Sequence, residues 1–297
     1  MKYLSVKDIA LKWNLSERRV RMMCEKGLIQ GVNKENGLWH IPDDSKMPQD
    51  KRVKRKKVAV VVSSSADAGC LISKEFISRG YNVIFVSDKE CFIYGVDCFN
   101  CKINDEKRIK EIMFSIDTID SLVIFPSSYL PKTLETTSVS DFDYYADLIY
   151  KNTYNVVKYS ISKIRKSKGN ILFIHSSVAL NPEAAAPVYC MLQSSLVMLG
   201  KALALREGQY GVRVNNLAIG PANTDELMTK VQKNQLKKWK DINPLGVSFK
   251  MQDFINAIIY LAINNSSSSK MTGCVMTVDG GESIANAYTL TQKEGVL

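Results

Sequence analysis

Residues 210–224 read "YGVRVNNLAIGPANT", an apolar run with the texture of a strand buried on both faces, closed by a Gly-Pro pair. Four other segments share that texture: "KVAVVV" at 57–62, "YNVIFV" at 81–86, "DSLVIF" at 120–125 and "GNILFIH" at 169–175. Between and beyond them, amphipathic stretches predict helices near 69–79, 105–116, 141–167, 189–207 and 251–263. Strands alternating with helices predict an α/β fold, a Rossmann-type doubly wound parallel sheet that begins near residue 58.

A chain of 297 residues, 45% hydrophobic and 24% charged, has room for one such domain and a small appendage. Its start, "MKYLSVKDIALKW", is interrupted by Lys2, Lys7 and Asp8, so no signal peptide or membrane span is expected and a cytoplasmic location follows. Seven cysteines, an odd number in apolar surroundings, suit reduced thiols better than a disulfide framework. "CFNC" at 98–101 is one CxxC without a second ligand pair. A structural zinc site normally takes four ligands, so no metal is expected.

The charge is unevenly spread. Residues 1–57 hold 15 Lys and Arg against 7 Asp and Glu, a net of +8, while the remaining 240 carry +2. Much of the excess lies in "KRVKRKK" at 51–57, which reads as a basic linker. Ahead of it, Val6, Ile9, Ala10 and Trp13 follow Ser5 at helical spacing, and Val20, Met23 and Cys24 make a second buried stripe behind Ser16. Asn36-Gly37 is the favoured dipeptide for a tight hairpin. The order is helix, turn, helix, hairpin. The stretch "YLSVKDIALKWNLSERRVRMMCEKGLI" at 3–29 with its hairpin resembles the winged helix-turn-helix of MerR and excisionase-like modules. That resemblance implies a DNA reader over 1–45, with Ser16, Arg18, Arg19 and Arg21 on the groove-facing helix and Lys34 on the wing. The domains are then 1–45, a linker over 46–57, and an α/β domain over 58–297.

The α/β domain resembles the short-chain dehydrogenase/reductases, in particular the 3-oxoacyl-carrier-protein reductase branch. The segments that carry the likeness are "YGVRVNNLAIGPANT", "PLG" at 244–246 with "FINAIIYLA" at 254–262, and "MTGCVMTVDGG" at 271–281. The family holds a nicotinamide dinucleotide on a glycine-rich turn, which here reads "VVSSSADAG" at 61–69. The usual glycines fall on Ser63, Asp67 and Gly69, and an aspartate at a phosphate-binding helix start opposes an anion. Ser63, Ser64, Ser65 and Gly69 are the remaining candidate contacts. Ser87 stands where an acid would read the ribose, with Asp88 beside it; Lys102 stands for the adenine-contacting aspartate; "IFPS" at 124–127 replaces an Asn-Asn-Ala-Gly signature.

The family's proton chemistry uses serine, tyrosine, lysine and asparagine. Tyr189 matches the tyrosine and Ser176 or Ser177 the serine, but "YCMLQ" at 189–193 puts Gln193 at the lysine position and "DLIYKNTYNVV" at 147–157 puts Ile149 at the asparagine position. Gln193 carries no charge to lower a phenol's pKa, although it can hydrogen-bond a ribose. The resemblance therefore implies a catalytically degenerate domain with no resident cofactor, NAD(P) being the alternative. It also implies pairing into a homodimer or homotetramer through helices 141–167 and 189–207, and a substrate-covering segment at 224–243. The expected function is a DNA-binding transcriptional regulator that reads an inverted repeat and senses a small-molecule effector, with no membrane partner. The alternatives are an NAD(P)-dependent short-chain oxidoreductase with an atypical site and a protein-binding scaffold.

Overall fold

The computed structural model describes residues 2–48, 55–102, 104–126, 128–222, 240–264 and 267–285. The expected covering segment 224–243 lies outside them apart from residues 240–243. The chain divides into two compact units, Met1–Arg55 and Lys56–Leu297.

In the first unit, β1 (Tyr3–Leu4) leads into α1 (Val6–Trp13) and α2 (Glu17–Glu25), followed by the hairpin β2 (Asn33–Glu35) and β3 (Leu38–Pro42). Ser5 and Asp8 form a reciprocal capping box on α1, and the Ser16 side chain caps α2. Asn14 ends α1 in the left-handed conformation, which lets the chain reverse into α2. Asn36 and Gly37 both have positive φ, 49° and 82°, as a type I′ hairpin turn requires. Val6, Ile9, Ala10, Val20, Met23 and Cys24 meet Ile29 and Ile41 in a small core.

The second unit is a sheet of seven parallel strands in the order β10-β9-β8-β7-β4-β5-β6. These are β4 (Val58–Ser63), β5 (Asn82–Ser87), β6 (Val96–Asn100), β7 (Ser121–Phe125), β8 (Asn170–Ser176), β9 (Arg213–Ile219) and β10 (Val275–Val278). Helices cover both faces: α3 (Ala66–Ser78), α4 (Glu106–Phe114), α5 (Val139–Ala146), α6 (Asn152–Ser167), α7 (Pro187–Glu207) and α8 (Met251–Ala262). The alternation along β4 shows why both are needed. Ala59 and Val61 pack into the layer with α3 and α8, whereas Val60 and Val62 pack into the layer with α4 and α6. The order reverses between β4 and β7, where successive crossovers leave in opposite directions and a crevice opens at the carboxyl ends of the strands.

Three details shape that crevice. Gly69, in the first turns of α3, leaves no room for a side chain: a Cβ there would stand 2.2 Å from the Phe85 ring of β5. The helical run expected over 141–167 is unbroken, but its turn Asp147–Lys151, between α5 and α6, is π-helical and carries Ile149. The 24 residues from Pro187 to Tyr210 are apolar enough for a membrane span by length and composition, yet half of that stretch is buried, as α7 packs over β8 and β9.

Candidate active site

The carboxyl ends of β4 and β5 open into a small cleft lined by Val62, Ser63, Ser64, Val86, Ser87, Asp88, Cys101, Leu148 and Asn152. Most of its serine hydroxyls serve the backbone. Ser63 Oγ donates to the Ser65 carbonyl at 3.0 Å and accepts from Ser65 N at 3.1 Å, while Ser65 Oγ accepts from Ala68 N at 3.3 Å. The β4–α3 turn is thus braced by hydroxyls in place of glycines, with Asp67 in the first turn of the helix. Ser87 is buried and its hydroxyl accepts from Lys89 N at 3.2 Å. Asp88 differs. Its Oδ1 is buried without a hydrogen-bond partner, and burial raises its carboxyl above the usual range against the pull of its own backbone amide and Lys89. A buried acceptor facing a cleft is where a ligand hydroxyl would be held. Lys102 is exposed and does not line the cleft.

On the β8 side of the crevice, Tyr189 lies in the first turn of α7 and is buried, with the Ser176 hydroxyl close enough to act on its phenol. This contact decides between the two serines: Ser176 is the partner of Tyr189, and Ser177 turns away to donate to Glu282 Oε2 at 2.9 Å. Burial pushes the Tyr189 phenol far above its ordinary value, Ser176 opposes the shift, and Tyr129, Cys190 and Glu183 add to it. Among the described residues no cation acts on it, and Gln193 has taken another task. Gln193 is 1% exposed, and its Oε1 accepts from Ser176 N at 3.0 Å. Through this bond Gln193 clamps the end of β8, one turn from Tyr189, and it is not among the residues that line the cleft. Ile149 is fully buried in the cluster that also holds Tyr189, Tyr129 and Leu148.

Three groups here had no part in the sequence reading. Tyr129 meets Tyr189 edge to face at 5.5 Å and donates to Glu183 at 3.2 Å. Glu183 is itself raised by burial, with Tyr129 opposing. Glu282 follows the Gly280-Gly281 turn; burial pushes its carboxyl up to about 7, the Ser177 hydrogen bond opposes, and Asp279 and Glu183 reinforce. A single signal pointed to it, an acid one residue beyond the "VDGG" at 278–281.

In the first unit, Ser16, Arg18, Arg19, Arg21 and Lys34 are exposed, but part of this charge is engaged locally. Arg21 pairs with Glu17 at 3.2 Å, and Lys34 Nζ lies 5.1 Å from the centre of the Trp39 ring. All seven cysteines are free, and among the described residues no group of His, Cys, Asp and Glu has the arrangement of a metal site.

Residues 69–283 match the family model described as enoyl-(acyl carrier protein) reductase. L-fucose dehydrogenase of Oryctolagus cuniculus is 27% identical over 77% of this chain and 86% of its own length. The 3-oxoacyl-[acyl-carrier-protein] reductase of Chlamydia muridarum is 28% identical over 76% of this chain and 96% of its own. Among solved structures, a short-chain dehydrogenase from Leptospira borgpetersenii with bound NAD+ superposes with a TM-score of 0.70 at 20% identity, covering 77% of this chain and 93% of that one. These matches overturn two expectations. A DNA-binding transcriptional regulator is not what the chain resembles, since its similarity runs to oxidoreductases. The expectation of no cofactor falls with it, because the superposed fold is one that holds a dinucleotide in the Leptospira structure. With its seven-stranded parallel sheet and its match over 69–283, the chain belongs to the short-chain dehydrogenase/reductase family, in the enoyl-(acyl carrier protein) reductase group of that fold.

Proposed function

We propose that the protein is an NAD(P)-dependent oxidoreductase acting on a secondary hydroxyl or ketone of a small polar molecule, with an atypical proton-transfer site. The observation that carries this reading is the pairing of Asp88, whose buried Oδ1 has no hydrogen-bond partner at the cleft, with the Ser176 and Tyr189 hydroxyls beyond it. Asp88 would take the ribose hydroxyls, and its charge disfavours a 2′-phosphate, so NAD is preferred to NADP. The Ser63–Ser65 turn and the start of α3 would face the pyrophosphate, with Asp67 weakening that end. When bound, the nicotinamide supplies the hydride.

The protein's own part is the proton. Ser176 and Tyr189 orient a carbonyl oxygen and Tyr189 protonates it, while Gln193 holds Ser176 in place through the backbone. A phenol raised by burial and left without a cation is a weak acid at neutral pH. Because a positioned acid–base group contributes about 10²- to 10⁴-fold, turnover is slow by a factor of that order against a relative that keeps its lysine. The test is dinucleotide binding by thermal shift and fluorescence, followed by turnover with polyols, aldoses and acetoacetyl thioesters. Binding of NADH in preference to NADPH, lost in Asp88→Asn, is expected; absence of binding at millimolar dinucleotide overturns the proposal.

Three further readings belong to it. Residues 1–45 form a winged helix-turn-helix accessory module, supported by the order of α1, α2 and the hairpin, and Arg18, Arg19 and Arg21 offer it a polyanion such as DNA. Selection of bound DNA by the full chain, and its loss in a truncation starting at Val58, tests that partner. Helices α5 to α7 pair two or four copies, supported by exposed Tyr154, Met191, Met198 and Leu205, and light scattering tests it. A cytoplasmic location is supported by seven unpaired cysteines.

A further inference from the structure

Three features of the β8 side of the site bear on one another. The loop after β8, which begins at Ser177, is tied to the turn after β10 at two points: Ser177 Oγ donates to Glu282 Oε2 at 2.9 Å, and Asn181 Nδ2 donates to the Glu282 carbonyl oxygen at 3.1 Å. The β10 turn is itself built around Asp279, whose carboxylate accepts from Gly281 N and Ser283 N, both at 2.9 Å. Gly280 and Gly281 both have positive φ, so the approach of Glu282 to Ser177 rests on a turn that other residues enter only with strain. Ser177 is 1% exposed, and the hydroxyl of its neighbour Ser176 acts on the Tyr189 phenol.

Resting on the oxidoreductase reading, we infer that Glu282 is a positioning residue for the Ser176–Tyr189 pair: in its protonated form it docks the β10 turn against the β8 loop, and its ionisation loosens that dock. The electrostatics run one way. Among the described residues, the groups acting on Glu282 are Ser177 from the β8 loop, Glu183 from the segment before α7 and Asp279 from its own turn, with no cation among them. Ionised, it would bind the Ser177 hydroxyl more strongly but would stand half-buried between two other acids, and desolvation and repulsion outweigh that bond and draw it towards water; neutral, it still accepts the hydroxyl and stays. Reduction should therefore be supported by neutral Glu282 and decline with rising pH. This places a titrating group at the site whose family lysine is Gln193, a side chain that cannot titrate.

The experiment uses the full chain with Glu282→Gln and Ser177→Ala, and has two arms. In the first, without cofactor, the side-chain carboxyl carbons of glutamate and the ζ-carbon of tyrosine are labelled and titrated by NMR. One glutamate midpoint near 7 is expected, absent in Glu282→Gln and moved upward in Ser177→Ala, which removes the opposing hydrogen bond; the Tyr189 signal, assigned with Tyr189→Phe, should follow the same midpoint in the wild type and stay flat in Glu282→Gln. In the second, reduction by NADH should fall about tenfold between about pH 6 and pH 8, as one ionisation near 7 requires, and should flatten in Glu282→Gln, with the change in kcat more than in KM. A Tyr189 signal blind to the Glu282 midpoint, or a profile unchanged in Glu282→Gln, overturns the inference. If the chain binds no dinucleotide, the oxidoreductase reading fails while the first arm still decides the coupling.

Discussion

The stability of Glu282→Gln against pH tests the packing around the site without any substrate. A carboxyl with an ordinary value of 4.5 that titrates at about 7 in the folded chain binds its proton more tightly folded than unfolded. Its contribution to stability is fully present below 4.5 and is lost as pH rises through 7. At about 1.4 kcal/mol for each pH interval between the two midpoints, the whole loss is about 3 kcal/mol. Between about pH 5.5 and pH 8 the part that can be measured is about 2 kcal/mol. Glutamine fills the same volume, accepts from Ser177 and does not ionise. Urea unfolding of both chains at those two pH values should show the variant gaining about 2 kcal/mol on the wild type at the higher pH, with unchanged m-values. Parallel stability curves would show that Glu282 ionises freely in the folded state and would refute the claim that Asp279, Glu183 and burial hold it neutral.

Gly69→Ala should destabilise by about 1–3 kcal/mol and lower the thermal midpoint, because the added carbon meets the buried Phe85 ring and neither helix nor strand can move apart without opening the core. Arg165→Met should cost about 3–5 kcal/mol in urea unfolding: Arg165 forks onto both oxygens of Glu207 at 2.6 and 2.8 Å, and Glu207 has a side chain only 2% exposed. Gln193→Leu should lower the thermal midpoint and reduce any turnover together, since it leaves Ser176 N without its acceptor at about 1–3 kcal/mol; unchanged stability would mean that water replaces it. Asp88→Asn should stabilise the free chain slightly while weakening NADH binding, the two effects having opposite sign because a half-buried carboxylate whose Oδ1 has no partner costs energy until a ligand meets it.

The sheet was legible because a parallel strand buried on both faces reads as a near-continuous apolar run, as "VAVVV" at 58–62 and "SLVIF" at 121–125 do. The hairpin of the first unit was legible for a similarly local reason, since Asn36-Gly37 suits a turn in which both residues take positive φ. Gly69 was legible as a family glycine, although the reason it cannot change, the Phe85 ring, comes from a strand 16 residues away in the sequence. What the residues alone left open was the arrangement of polar groups at the strand ends. Two adjacent serines are indistinguishable along the chain, and only the fold turns Ser176 to Tyr189 and Ser177 to Glu282, 105 residues distant. Gln193 read as a lysine lost from a ribose contact, yet tertiary packing gave its amide to the backbone of β8. The serines of the β4–α3 turn read as eroded glycines and are in place as its internal braces. Periodicity reports which side of an element is buried; it carries no information about which partner a buried donor finds, because that is settled by long-range approach of elements and by the cost of leaving any such group unpaired.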